Sequence, residues 1–249
     1  MGAKHELRHI LGAIPNAFRK SKHLPAGERA RQLSGVPLHF VDLVALGALR
    51  VFPFDDGGAG PRVLLLHGYA GHPRSHGFLR RHLRDAGFAT ASLDLRDHGS
   101  VQAMGDALRD WLRDHVDPDD PIAVVAHSLG GVVTRFAIHA EDVRSRVRRI
   151  VTLGSPHEGT RIAEIVESEK ASQMERDAEL TAALEEQEPW HDDLPPLVCL
   201  WSRADLLMVP PEAAIADGAA ARELPRVTHP GYMLRPRVWR AVVDALRDG

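Results

Sequence analysis

Residues Ile122–Gly131 read IAVVAHSLGG, an apolar run that enters a serine and leaves through two glycines. A hydroxyl becomes a nucleophile where a base can take its proton and N–H groups can meet the charge that develops on the attacked carbonyl. The segment supplies the geometry for this. A buried strand feeds Ala126-His127-Ser128-Leu129-Gly130 and a helix departs from it, so Ser128 stands at the tip of a strained strand–turn–helix elbow. The residues two before and two after the serine must be small or their side chains collide. Ala126, where glycine is commoner, and Gly130 meet that demand. The departing helix aims its N-terminus and the N–H of Leu129 at developing negative charge. Small-x-Ser-x-Gly alone arises by chance in about one chain in ten of this size, and a serine in an ordinary βα turn is the bland alternative. Its placement after an apolar strand and before a helix carries the reading.

A second turn lies upstream. The run Arg62–His67 (RVLLLH) ends in His67-Gly68-Tyr69-Ala70-Gly71, where Gly68 lets the backbone turn and offers the N–H of Tyr69 as a second oxyanion donor. His67 reads as a structural hydrogen-bonding residue beneath that loop rather than as the base. His157 reads as a brace for an active-site loop. His67, His72 and His76 are close in sequence, but no acid joins them in a recognisable ligand set, so neither metal nor cofactor is expected. Cys199, the single cysteine, sits in a predicted buried strand and reads as core.

HGYAG, AHSLGG and TLGSPHEGT resemble segments of bacterial lipases and esterases of the α/β-hydrolase superfamily. DLRDHGS (94–100) resembles that superfamily's turn after the strand preceding the elbow, and the matched motifs span about residues 62–240. The resemblance implies a mostly parallel sheet flanked by helices, an acid after the next-to-last strand and a histidine after the last. Asp205, leaving the strand Leu197–Ser202, holds the acid's place better than Asp192 or Asp193, which precede that strand. His229 is the only histidine after Asp205 and holds the place of the base. The order Ser128, Asp205, His229 is that of this fold. The implied activity is hydrolysis of a carboxylic ester, small or lipid, through an acyl-enzyme on Ser128. A thioesterase, amidase or acyltransferase would keep the same residues, and a non-catalytic binding module on the same fold is the rival from another class. Dehalogenases and epoxide hydrolases of this fold place aspartate at the elbow, so Ser128 argues against them.

Strands that position such turns must alternate with helices, and the sequence predicts that series. Strands are expected at Arg62–His67, Ala89–Leu95, Ile122–Ala126, Arg149–Gly154 and Leu197–Ser202, with helices at His76–Ala86, Val101–His115, Leu129 to about Ala140 and Pro236–Leu246. Gly159–Leu194 is helix-prone, with twelve acids in residues 157–193 against Arg161, Lys170 and Arg176, net −9. It is expected to form a helical cap over the site. Residues 1–35 form a separate basic segment ahead of a hydrolase domain over 36–249. Leu7, Ile10, Leu11, Ile14 and Phe18 give that segment one apolar face, docked on the domain or touching anionic lipid.

The whole chain of 249 residues carries a formal net charge of −3 and a pI near 6.6, which supplies no basic field for nucleic acid. One cysteine forbids an internal disulfide, and the charged first residues lack a secretory pattern, so a cytoplasmic location is expected. The apolar stretch Val36–Phe54 is broken by Pro37, His39, Asp42, Arg50 and Pro53 and reads as buried strands, or a strand with a short helix, rather than a membrane span.

Overall fold

The computed structural model describes residues 38, 41, 42, 45 and 56–248, apart from 70, 162, 164–168, 177 and 186–188. The basic segment 1–35 lies outside the described residues, and so does most of 36–54. The four described residues there, Leu38, Val41, Asp42 and Ala45, are helical.

Six strands form one sheet: β1 (Arg62–Leu66), β2 (Ala89–Leu93), β3 (Ile122–His127), β4 (Val147–Leu153), β5 (Leu197–Trp201) and β6 (Ala220–Glu223). Their order is β2-β1-β3-β4-β5-β6, and every neighbouring pair is parallel. Such a sheet must be covered on both faces, which is why its central strands β1 and β3 are mostly apolar (RVLLL, IAVVAH). Alternate residues of β1 and β3 face opposite ways. Leu64, Leu66, Val124 and Ala126 join Met104, Leu108 and Leu112 of α2 (Val101–His115) and Val132 and Val133 of α3 (Leu129–Ile138). Val63, Leu65, Ala123 and Val125 join Leu79 and Leu83 of α1 (Gly77–Asp85), and the C-terminal residues Val238, Val242 and Leu246. Ser100 caps α2 by accepting the Ala103 N–H at 3.1 Å.

The remaining helices are shorter except the last: α4 (Glu141–Arg144), α5 (Glu169–Ser172), α6 (Glu179–Glu185), α7 (Gly231–Leu234) and α8 (Pro236–Arg247). The acidic segment forms the short helices α5 and α6, and Ala163, Met174, Leu180 and Leu184 enter the core beside Leu129 and Val132. Edge strand β6 (AARE) went unforeseen because all four residues are exposed and carry no apolar pattern. Among the described residues, no helix is long and apolar enough to cross a membrane.

Candidate active site

β3 delivers the chain to Ser128 and α3 takes it away. Ser128 has φ 54° and ψ −125°; among the described residues only it and Arg226 adopt positive φ without being glycine. Such a backbone is strained by about 1–3 kcal/mol and persists where its surroundings enforce it. Here the Ser128 N–H donates to the Leu153 carbonyl at 3.0 Å and the Gly131 N–H to the Ser128 carbonyl at 2.9 Å. Gly130 leaves no room for a side chain: a Cβ there would sit 2.9 Å from the His67 carbonyl oxygen and 3.1 Å from that of Leu66. Ala126 is fully buried in the sheet. The first N–H groups of α3, Leu129 at their head, have no partner within the helix.

The loop after β1 lies against this elbow. A Cβ on Gly68 would come within 2.7 Å of the Ser128 Cβ, and the Gly71 N–H closes the loop onto the Gly68 carbonyl at 2.9 Å. Gly68, Tyr69 and Leu129 line one cleft with Met104, Arg96 and Lys170. His67 supports the loop, with Nδ1 donating to the Gly68 carbonyl at 2.9 Å and Nε2 accepting the Leu95 N–H at 3.1 Å. One neutral tautomer makes both bonds, and burial holds the ring below its ordinary pKa of 6.5. The Asp94 carboxylate 3.3 Å from Nε2 is therefore no ion-pair partner for it, and is instead bound by Arg96.

On the far side of Ser128, the Asp205 Oδ2 accepts the His229 Nδ1–H at 2.8 Å, and Oδ1 accepts the Leu207 N–H at 2.9 Å. The carboxylate is 2% exposed, so little water competes for it. Gly154, at the end of β4 with φ +54°, makes room for it: a Cβ there would lie 2.7 Å from Asp205 Oδ2. Asp192 and Asp193 are exposed, and Asp193 pairs with Arg144 at 2.9 Å. With Nδ1 donating to the carboxylate, the His229 Nε2 is the ring's acceptor.

His127, preceding the serine, joins the two halves. Its ring lies 4.6 Å from that of His229, and its Nε2 meets the His229 carbonyl at 3.2 Å. A carbonyl only accepts, so that nitrogen carries the proton. Burial, and then the neighbouring His229, hold His127 well below pKa 6.5 and therefore neutral. Tyr232 stands edge-on to His229 at 6.2 Å, its phenol pushed well above pKa 10 by burial and the Asp205 charge. His157 is fully buried beneath the neighbouring loop, with Nε2 3.1 Å from Thr152 Oγ1 and its carbonyl held by Arg135.

The structure thus hydrogen-bonds Asp205 to His229, links His229 to Ser128 through the adjoining His127, and sets Gly68, Tyr69 and Leu129 around one cleft. Sequence reasoning missed Tyr232 and the contacts that Thr228 makes beside His229, since neither residue belongs to a motif. Among the described residues, no group of three or more His, Cys, Asp or Glu side chains is arranged to hold a metal ion.

Comparison with known proteins gives the family and the fold. The chain is 29% identical to Lipase LipV of Mycobacterium tuberculosis over 209 residues, covering 68% of this chain and 77% of that one. The structure resembles mature Bacillus licheniformis lipase BlEst2 with a TM-score of 0.62 at 17% identity, over 78% of this chain and 94% of that one. It resembles a thermophilic esterase of Thermogutta terrifontis with a TM-score of 0.57 at 19% identity, over 78% and 92% of the two chains. These two similarities are of fold. A sequence model of the alpha/beta hydrolase fold matches residues 61–194, more than half of the sequence. The chain belongs to the α/β-hydrolase family and is lipase- and esterase-like within it.

Proposed function

We propose that the protein hydrolyses carboxylic esters through an acyl-enzyme on Ser128. The observation that carries this reading is the buried 2.8 Å Asp205–His229 hydrogen bond, held by His127 beside a serine of positive φ. Ser128 Oγ attacks the ester carbonyl as its proton passes to His229 Nε2, and the carbonyl electrons move onto oxygen. The N–H groups of Tyr69 and Leu129 receive that oxyanion. Collapse breaks the bond to the alcohol oxygen, which leaves with the proton from His229. Water then repeats the sequence on the acyl-serine, freeing the carboxylic acid and restoring Ser128. Asp205 fixes the His229 tautomer throughout and stabilises the imidazolium. The relative Lipase LipV is named as a lipase, which supports ester over thioester or amide.

A fluorophosphonate probe should label the native protein and fail on Ser128→Ala. That variant should lose about 10³-fold or more in kcat against a short-chain ester while keeping its melting temperature. Turnover of thioesters or amides in preference to esters would redirect the substrate class, and full turnover by Ser128→Ala would remove Ser128 from the mechanism.

A further inference from the structure

We infer that Asp42, from the chain ahead of β1, is a positioning residue for His229. The inference rests on the role proposed above for His229. Asp42 lies outside the stretch that matches the family, 186 residues from its contact, and no motif announces it. Its carboxylate is nonetheless 3% exposed, whereas Leu38 and Val41 of the same helical stretch are 37% and 61% exposed. A helix that turns apolar residues outward and a carboxylate inward runs against ordinary amphipathic packing. Burying an ionised carboxylate is costly unless it is paired and hydrogen-bonded.

Both conditions are met at the His229 loop. Asp42 Oδ2 accepts the Thr228 hydroxyl at 2.6 Å, and Oδ1 accepts Arg235 Nη2 at 2.5 Å. Thr228 immediately precedes His229 and is fully buried. Because its proton goes to Asp42, its oxygen is left to accept the Gly231 N–H, which it does at 3.0 Å. One carboxylate thereby closes the turn 228–231 around His229 and ties it to Arg235 at the head of α8. Gly231 leaves the space for this, since a Cβ there would lie 2.7 Å from Thr228 Oγ1 and 3.1 Å from Asp42 Oδ2. His127 holds the His229 carbonyl from the other side. Asp42 touches no reacting atom; it acts through Thr228 on the backbone that carries the imidazole. A base displaced by about 1 Å can lose on the order of a hundred-fold in rate.

The test uses the full chain with Asp42→Ala, Asp42→Asn, Thr228→Val, Thr228→Ser and the double variant Asp42→Ala/Thr228→Val, each assayed well below its melting transition. Asp42→Ala and Thr228→Val should lower kcat by about ten- to a hundred-fold with little change in KM, and should slow fluorophosphonate labelling in proportion. Asp42→Asn, which keeps an acceptor, and Thr228→Ser, which keeps the hydroxyl, should recover most of that loss. The double variant should be no slower than the worse single one, because both act on one hydrogen bond. If Asp42 only anchors its helix, the melting temperature falls while kcat and labelling rate hold, and Thr228→Ser gains nothing over Thr228→Val; that result overturns the proposal. Inactive Ser128→Ala beside wild-type kcat in Thr228→Val overturns the role of Asp42 alone. Active Ser128→Ala overturns the triad and this role with it.

Discussion

Asp193 and Asp205 are both aspartates flanking β5, yet one faces water against Arg144 and the other is buried between His229 and the Leu207 N–H. Their variants should separate accordingly. Asp205→Asn turns an acceptor toward His229 into an amide that cannot hold the same tautomer, and should lower kcat by about 10³–10⁴-fold. Asp193→Asn removes an exposed ion pair whose contribution is about 0–1 kcal/mol, and should leave kcat unchanged. Steady-state assays of the two variants on one ester decide the matter, and the reverse pattern would transfer the acid's role to Asp193. At this scale the elbow was legible because steric demands at Ser128 restrict residue types at positions 126 and 130. The Asp205–His229 contact was legible through chain order, His229 being the one histidine left after Asp205. Asp42, Thr228 and Tyr232 were not, because a buried carboxylate, hydroxyl or ring is defined by what surrounds it and not by its neighbours in sequence.

Elements carry the site to the C-terminal ends of the strands, and the end of β4 shows how little room they leave. Gly154 has φ +54°, and a Cβ would stand 2.5 Å from Tyr232 Cε2 and 2.7 Å from Asp205 Oδ2. Gly154→Ala should cost about 1–3 kcal/mol from backbone strain and overpacking. It should also lower kcat by displacing the carboxylate. Urea midpoints and kcat measured side by side would show both losses, and a stable variant of normal activity would contradict the tight approach. The strand–helix series itself was legible from apolar runs and 3.6-residue periods, to within a residue or two at most ends. What escaped was structure with no internal pattern. β6 is exposed on every residue. The acidic segment is held less by its own stripe than by the body: Arg135 of α3, fully buried, donates to the carbonyls of Leu184 and His157. Gln173 likewise accepts the Val101 N–H at 2.7 Å, at the head of α2.

Across the whole molecule, buried neutral histidines set a limit on acid stability. Burial lowers the pKa of His67, His127 and His157, takes His76 from 6.5 to about 3, and takes half-buried His139 to about 4. A group whose pKa is depressed in the fold binds its proton in the unfolded chain first. Between about pH 3 and 6.5 the unfolded chain therefore holds more protons than the folded one, and stability falls as pH drops through that window. Each fully neutral histidine adds a slope approaching about 1.4 kcal/mol per pH unit below 6.5. Unfolding free energy measured from pH 7 to 5 should fall steeply, and His76→Gln should flatten the curve by nearly one proton. An unchanged slope in a folded His76→Gln protein would show that His76 is charged in the native state.

The hydrogen bond between Asp42 and Thr228 also orders events in time. A ribosome releases Asp42 before Ser128, and Ser128 before the loop holding His229. Once β4 is out, the serine turn can form on β1 and β3, because the Leu153 carbonyl that fixes it is then present. The proposed base cannot join until residue 229 has emerged and α8 has docked, and Asp42 waits across a separation of 186 residues for its partner. On the roles proposed for these residues, hydrolytic competence would then appear abruptly, when the His229 loop docks and well after the serine turn has formed.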